Sequence, residues 1–170
     1  MIKIRQVINA EPNILSALSE LLIDAVHNGA SVGFLAPLST DMAEKYWQKV
    51  FAALHDGLAL WVAESDGKVV GSVQVDPCQK QNGRHRADLQ KLFVLKTFRG
   101  QGIASKMMAK AESFARENKI SLLVLDTILG SKAESLYQHL GWQRVGEIPK
   151  YAANPDGELA ATVYFYKLLG

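Results

Sequence analysis

Apolar side chains recur along this chain at two periods, and the switching between them predicts alternating strands and helices. Ile2 to Val7 reads as an opening strand. Leu15, Leu18, Leu22 and Ala25 then fall at helical spacing, which predicts an amphipathic helix over about 13–28. The stretch from Ser31 to Leu38 is apolar yet rich in breakers, so it reads as a loop with something to cover. A second helix is expected over about 41–55, with Asp41 and Glu44 placed as a cap pair. Strands over 58–63 and 68–75 meet at Asp66-Gly67, a hairpin signal. In the second strand Val69, Gly71, Val73 and Val75 are assigned to one face, and Val70, Ser72 and Gln74 to the other. Asn82-Gly83 turns into a strand over 86–95. A helix over 102–118 follows, then an all-apolar strand over 122–125, which is how a buried central strand reads. Ser131 and Glu134 read as a capping box for a helix that Gly141 ends. Strands near 143–148 and 160–168 finish the pattern. The order predicts a single domain over 1–170, an α+β fold with a mixed sheet flanked by helices.

Composition narrows the class. The chain has 170 residues, 48% hydrophobic, enough to bury a core without staples. One cysteine, Cys78, permits no internal disulfide, and with no secretion-type run the expectation is a cytoplasmic protein. No apolar stretch approaches membrane-spanning length. A net charge of +2 and no basic-aromatic array argue against nucleic acid. His27, His55, His85 and His139 share no metal-type spacing with each other or with Cys78, so no metal is expected.

The chemistry concentrates in Leu92-Phe93-Val94-Leu95-Lys96-Thr97-Phe98-Arg99-Gly100-Gln101-Gly102-Ile103-Ala104-Ser105. An apolar strand leaves through a two-glycine turn into a helix. Glycine lets backbone approach a ligand, and the first amides of a helix lack internal partners at the positive end of its dipole. Such a turn suits a pyrophosphate, with Arg99 at its rim and small Ala104 permitting close approach. A Walker loop is excluded, because Ile103-Ala104 stands where Lys-Ser/Thr is required. A dinucleotide fingerprint fits only in part. Lys96-Thr97-Phe98-Arg99 separates strand from glycines, and no second βαβ half follows.

Arg99-Gly100-Gln101-Gly102-Ile103-Ala104 resembles the Gln/Arg-x-x-Gly-x-Gly/Ala signature of the GNAT superfamily of N-acetyltransferases. Leu136-Tyr137-Gln138-His139-Leu140-Gly141-Trp142 resembles that family's Leu-Tyr-x-x-Leu-Gly-Phe. Within it, Leu125-Asp126-Thr127, Gly130 to Glu134, Val145 to Tyr151 and Pro155-Asp156-Gly157 are similar to the tabtoxin-resistance type. The resemblance implies a GNAT fold of about seven, mostly antiparallel strands, and direct acetyl transfer from acetyl-CoA to a small-molecule amine or hydroxyl. It implies that the backbone of Leu92, Phe93 and Val94 pairs with pantetheine, and that Gly100 to Ser105 hold the pyrophosphate. Many members carry an asparagine seven residues before the tyrosine; Gly130 stands there instead.

Acetylating an amine requires a proton acceptor, a stabilised oxyanion, for which a backbone amide near Val94 is the candidate, and a proton for the leaving sulfur. Asp126, ending an apolar run, is the first candidate base, against a turn-capping role with Thr127. The resemblance adds Asp88 as a second base, and both are candidate acceptor contacts. It also makes Tyr137 the candidate acid, against a plain core role. Lys80, Arg84 and Arg86 form a basic cluster suited to the 3′-phosphate of coenzyme A or to an acidic acceptor, against a plain solvated hairpin. Phe34 is the candidate lining residue of the acceptor pocket, Trp47 a core residue, and 151–157 the opposite wall. Acetylation of protein amines and a non-catalytic CoA-binding regulator remain alternatives. Acceptor identity and oligomeric state, homodimer included, stay open.

Overall fold

The computed structural model describes residues 1–170 and contains seven strands and four helices. They run β1 (Ile2–Val7), α1 (Pro12–His27), α2 (Thr40–Ala53), β2 (Ala59–Ser65), β3 (Lys68–Pro77), β4 (Arg86–Val94), α3 (Ile103–Glu117), β5 (Leu122–Ile128), α4 (Lys132–His139), β6 (Gln143–Ala153) and β7 (Leu159–Leu168). All strands join one sheet in the order β1-β2-β3-β4-β5-β7-β6, and only the β4–β5 pairing is parallel. The expected mixed, mostly antiparallel sheet with flanking helices is therefore present.

Each sheet face carries its own core. On one, α1 and α2 bury Leu18, Leu22, Trp47 and Phe51 against Leu60, Val62 and Phe93. On the other, α3 and α4 bury Met107, Met108, Ala111 and Tyr137 against Trp61, Val73, Leu89, Leu123 and Phe165. The alternation in β2 to β5 assigns side chains to these faces, as a period of two requires.

Several local expectations change. Ser39, not Asp41, caps α2; its Oγ accepts from the Met42 amide at 3.2 Å, while Asp41 pairs with Lys45 one turn on. The Ser131–Glu134 capping box does not form, because the Ser131 amide donates to the Ile128 carbonyl and neither side chain meets the other's amide. Glu134 accepts from the Gly130 amide at 2.7 Å, while the Ser131 hydroxyl turns to Thr127. A register shift between Ala63 and Glu64 gives β3 an extra residue. Val69 therefore joins the α1/α2 core, and Val70 lies with Val73 and Val75, contrary to the strict alternation read from the sequence. The apolar run 122–125 continues as strand to Ile128, because Asp126, Thr127 and Ile128 still pair with β7.

The feature that positions the site is a wedge between the parallel strands. β4 and β5 pair only over Arg86–Asp88 and Leu122–Val124, although β4 continues to Val94 and β5 to Ile128. The β3–β4 register explains part of this parting. Ser72 faces Phe93 and Gln74 faces Gln90, so β4 carries one extra residue there, and Lys91 takes φ +54°. Such a bulge bends its strand and leaves a gap in the ladder.

Candidate active site

Beyond Asp88, the β5-facing edge of β4 has no strand to pair with. Buried peptide groups need partners, so this stretch, which includes Leu92, Phe93 and Val94, offers an edge for an extended amide-bearing ligand. Only the backbone of Phe93 is available to such a ligand, because its ring is buried under α1 and α2. Past Val94, a short turn over Lys96–Phe98 leads to Gly100 and Gly102, at φ +77° and +74°. A Cβ at either glycine would meet no protein atom within 4 Å, so the space above them is open. Gly102 is the N-cap of α3 and supplies no side-chain cap, which leaves the amides of Ile103, Ala104 and Ser105 without intrahelical partners at the positive helix end. The Ile103 side chain faces the core, so its amide is its only group at the turn. Gln101 is exposed and Ala104 half-buried. Arg99 Nε donates to the Val94 carbonyl at 3.1 Å, tying the turn to the strand end while the guanidinium stays exposed. An unpaired strand edge running into an uncapped, glycine-opened helix end fits a long ligand with amides at one end and a pyrophosphate at the other.

The three residues read as catalytic approach the wedge from two sides. Asp88 alternates with the core residues Ala87 and Leu89, and Asp126 with Leu125, so both carboxylates lie on the α1/α2 face. Asp126 accepts from Thr162 Oγ1 at 2.7 Å, across β7, and is not engaged with the Thr127 side chain. Burial pushes the Asp88 carboxyl up, Arg86 opposes this, and the charge of Asp126 adds to it. Tyr137 packs in the opposite core against Trp142 and Phe165, only 6% exposed. Burial pushes its phenol up to about 12, with a further push from Asp126. Its hydroxyl engages no protein partner and is not sealed off. Where the strands part, groups on both faces can address one point.

Further residues gather on this face, and of these Asp76, Tyr164 and Gln74 were not assigned to the site in the sequence. Asp76 sits directly across from Asp88, and burial together with Asp88 raises its carboxyl. Tyr164 lies opposite Asp126, and its hydroxyl is 2.8 Å from that of Tyr151; this bond and burial raise its pKa. Gln74 donates to the Tyr46 hydroxyl at 3.0 Å, and Phe34 packs edge-on against the Tyr46 ring at 5.6 Å. Asp76 was findable: the Asn82-Gly83 hairpin sets it symmetrically opposite Asp88. Two loops meet beside this face. The Ala36 amide donates to the Pro155 carbonyl at 2.9 Å, and His27 Nε2 accepts from the Leu38 amide. Trp47 is wholly buried. Lys80, Arg84 and Arg86 are exposed at the other end of β4 from the glycine turn. No helix is long and apolar enough to cross a membrane.

The profile of the acetyltransferase (GNAT) family matches residues 20–142, spanning β2 to α4 and the whole glycine turn. This chain belongs to that family. N-acetyltransferase 8 of Mus musculus is 39% identical over 112 residues, covering 65% of this chain and 48% of the relative. The chain thus spans about half the length of that relative. The ribosomal-protein-alanine N-acetyltransferase from Brucella melitensis superposes with TM-score 0.81 at 25% identity, over 98% of this GNAT chain and 99% of that one. A GNAT superfamily phosphinothricin acetyltransferase from Sinorhizobium meliloti, solved with acetyl-CoA, gives TM-score 0.83 at 16% identity, over 99% and 89% of the two chains, a likeness of fold.

Proposed function

We propose that this GNAT chain transfers an acetyl group from acetyl-CoA to a small-molecule amine, by direct attack within a ternary complex. The observation that carries the reading is the wedge. An unpaired β4 edge leads from the uncapped α3 N-terminus to a gap flanked by Asp88 and Asp126 on one face and Tyr137 on the other. When bound, acetyl-CoA supplies the acyl group as a thioester. Leu92, Phe93 and Val94 hold its amide-bearing arm, and Arg99, Gly100, Gln101, Gly102, Ile103, Ala104 and Ser105 hold its pyrophosphate. Asp126, seconded by Asp88, takes the proton that a charged amine must lose, and the raised carboxyl of Asp88 suits it to that task. Tyr137 donates a proton to the departing sulfur by proximity, since its bulk acidity is low.

The meeting of the 31–38 loop with the β6–β7 turn supports a closed, small acceptor pocket. The likeness to the tabtoxin-resistance type agrees with this. A second reading, acetylation of a protein amine, draws on the likeness to the ribosomal-protein-alanine enzyme. The deciding experiment follows thiol release from acetyl-CoA over a panel of amino acids, polyamines, aminoglycosides and peptide N-termini. Release with small amines and none with peptides is expected. Cofactor binding with no release on any amine would leave a non-catalytic regulator.

A further inference from the structure

Three lysine or arginine side chains in this protein are withdrawn from solvent: Arg5, Lys91 and Lys167. Two are neutralised. Arg5 pairs with Glu11 and Glu64, and Lys167 Nζ lies 2.9 Å from Glu112. Lys91 alone has no carboxylate. Its Nζ donates once, to the Val32 carbonyl at 2.9 Å, and stands 5.9 Å from the centroid of the Tyr46 ring. An ammonium has three donors, and a buried charge without a counterion is costly unless something supplies one. Burial accordingly lowers the basicity of Lys91, and only the longer-range pull of Asp126 opposes it.

Its location is also specific. Leu89, Leu92 and Val94 face the α3 core, whereas Phe93 faces the α1/α2 core. With regular alternation Lys91 would point into the α3 core. The bulge lets it stand beside Gln90 on the acceptor face, at the cost of a positive φ. That face otherwise holds Asp76, Asp88 and Asp126, which suit the cationic end of an acceptor.

We propose that Lys91 is the anion-binding residue of the acceptor pocket, and that the acceptor is a compound carrying a carboxylate near its amine, the amino-acid class. The carboxylate supplies the missing counterion at Lys91 while the amine faces Asp126 and Asp88. This rests on the acetyltransferase reading above, and its test is separable from it.

The test compares acceptors in pairs, α-amino acids against their α-amino amides and against the amines lacking the carboxyl group. The measurements are thiol release, calorimetric binding to the CoA-loaded protein, and acetyl-CoA melting shift as a control. In the unaltered protein, kcat/KM should favour the acid by about tenfold or more, as for a hydrogen bond to a charged group. In Lys91→Met the acid and amide should fall within about twofold of each other, with Lys91→Arg restoring part of the preference. A residue that only anchors Val32 would depress both acceptors equally and keep their ratio. Equal use of acids and amides by the unaltered protein, or an unchanged ratio in Lys91→Met, would overturn the assignment. Should Lys91→Met fail to fold, the acid–amide comparison on the unaltered protein and on Lys91→Arg decides the matter. Retained acetyl-CoA binding with no thiol release from any acceptor would instead remove the acetyltransferase reading beneath it.

Discussion

Tyr137 carries its hydroxyl without a protein partner inside an otherwise apolar core, so removing that oxygen leaves nothing unsatisfied. Tyr137→Phe should therefore keep its melting temperature and acetyl-CoA affinity while kcat falls by about 100-fold or more, the scale of a lost general acid. Unchanged turnover, read by thiol release, would return Tyr137 to a packing role. Asp88 makes the companion prediction. Its carboxyl is raised by burial, and only its ionised form accepts a proton. Activity should fall as pH drops through that raised pKa, above the ordinary carboxylate range, and Asp88→Asn should alter this acidic limb. Stability moves oppositely: a raised acid pKa means the folded state prefers the proton, so its ionisation weakens the fold as pH rises. Asp76→Asn should thus raise the melting temperature at neutral pH and leave it nearly unchanged in acid, where both carboxyls are protonated. Asp126 was nameable in the sequence because it ends an apolar run, whereas Asp88 and the role of Tyr137 came only with the family resemblance. Lys91 was not nameable, because a single-residue bulge leaves no trace in a pattern of alternating polarity.

Among the elements, the turn from β4 into α3 was the most legible, since two glycines at a strand–helix junction declare both conformation and clearance. Gly102→Val should test it. A side chain at φ +74° costs about 1–2 kcal/mol, yet no protein atom obstructs it. The variant should fold, melt lower, and bind acetyl-CoA about 10- to 100-fold more weakly as amide–phosphate contacts are lost. Full affinity by calorimetry would contradict the cradle. Helix boundaries came within a residue or two, because amphipathic spacing is repeated over several turns. Strand ends were less readable: β5 and β6 extend past their apolar residues through backbone pairing with β7, which polar side chains do not prevent. The wedge itself was invisible, being a relation between two strands and not a property of either.

At the scale of the whole molecule, one sheet separates two cores, and the gap proposed for the ligand opens between strands that belong to both. A ligand bridging them should stabilise the folded state by mass action. Acetyl-CoA at 100 times its Kd adds about 2.7 kcal/mol, which for a chain of this size corresponds to a melting shift of about 5–10 °C. No shift would show that the gap does not take this ligand. The parting of β4 from β5 has one more implication under the proposed roles. Asp126 and Tyr137 then reach the gap from opposite faces of the sheet. Proton uptake from the amine and proton delivery to the thiol therefore need not pass through a single shared group.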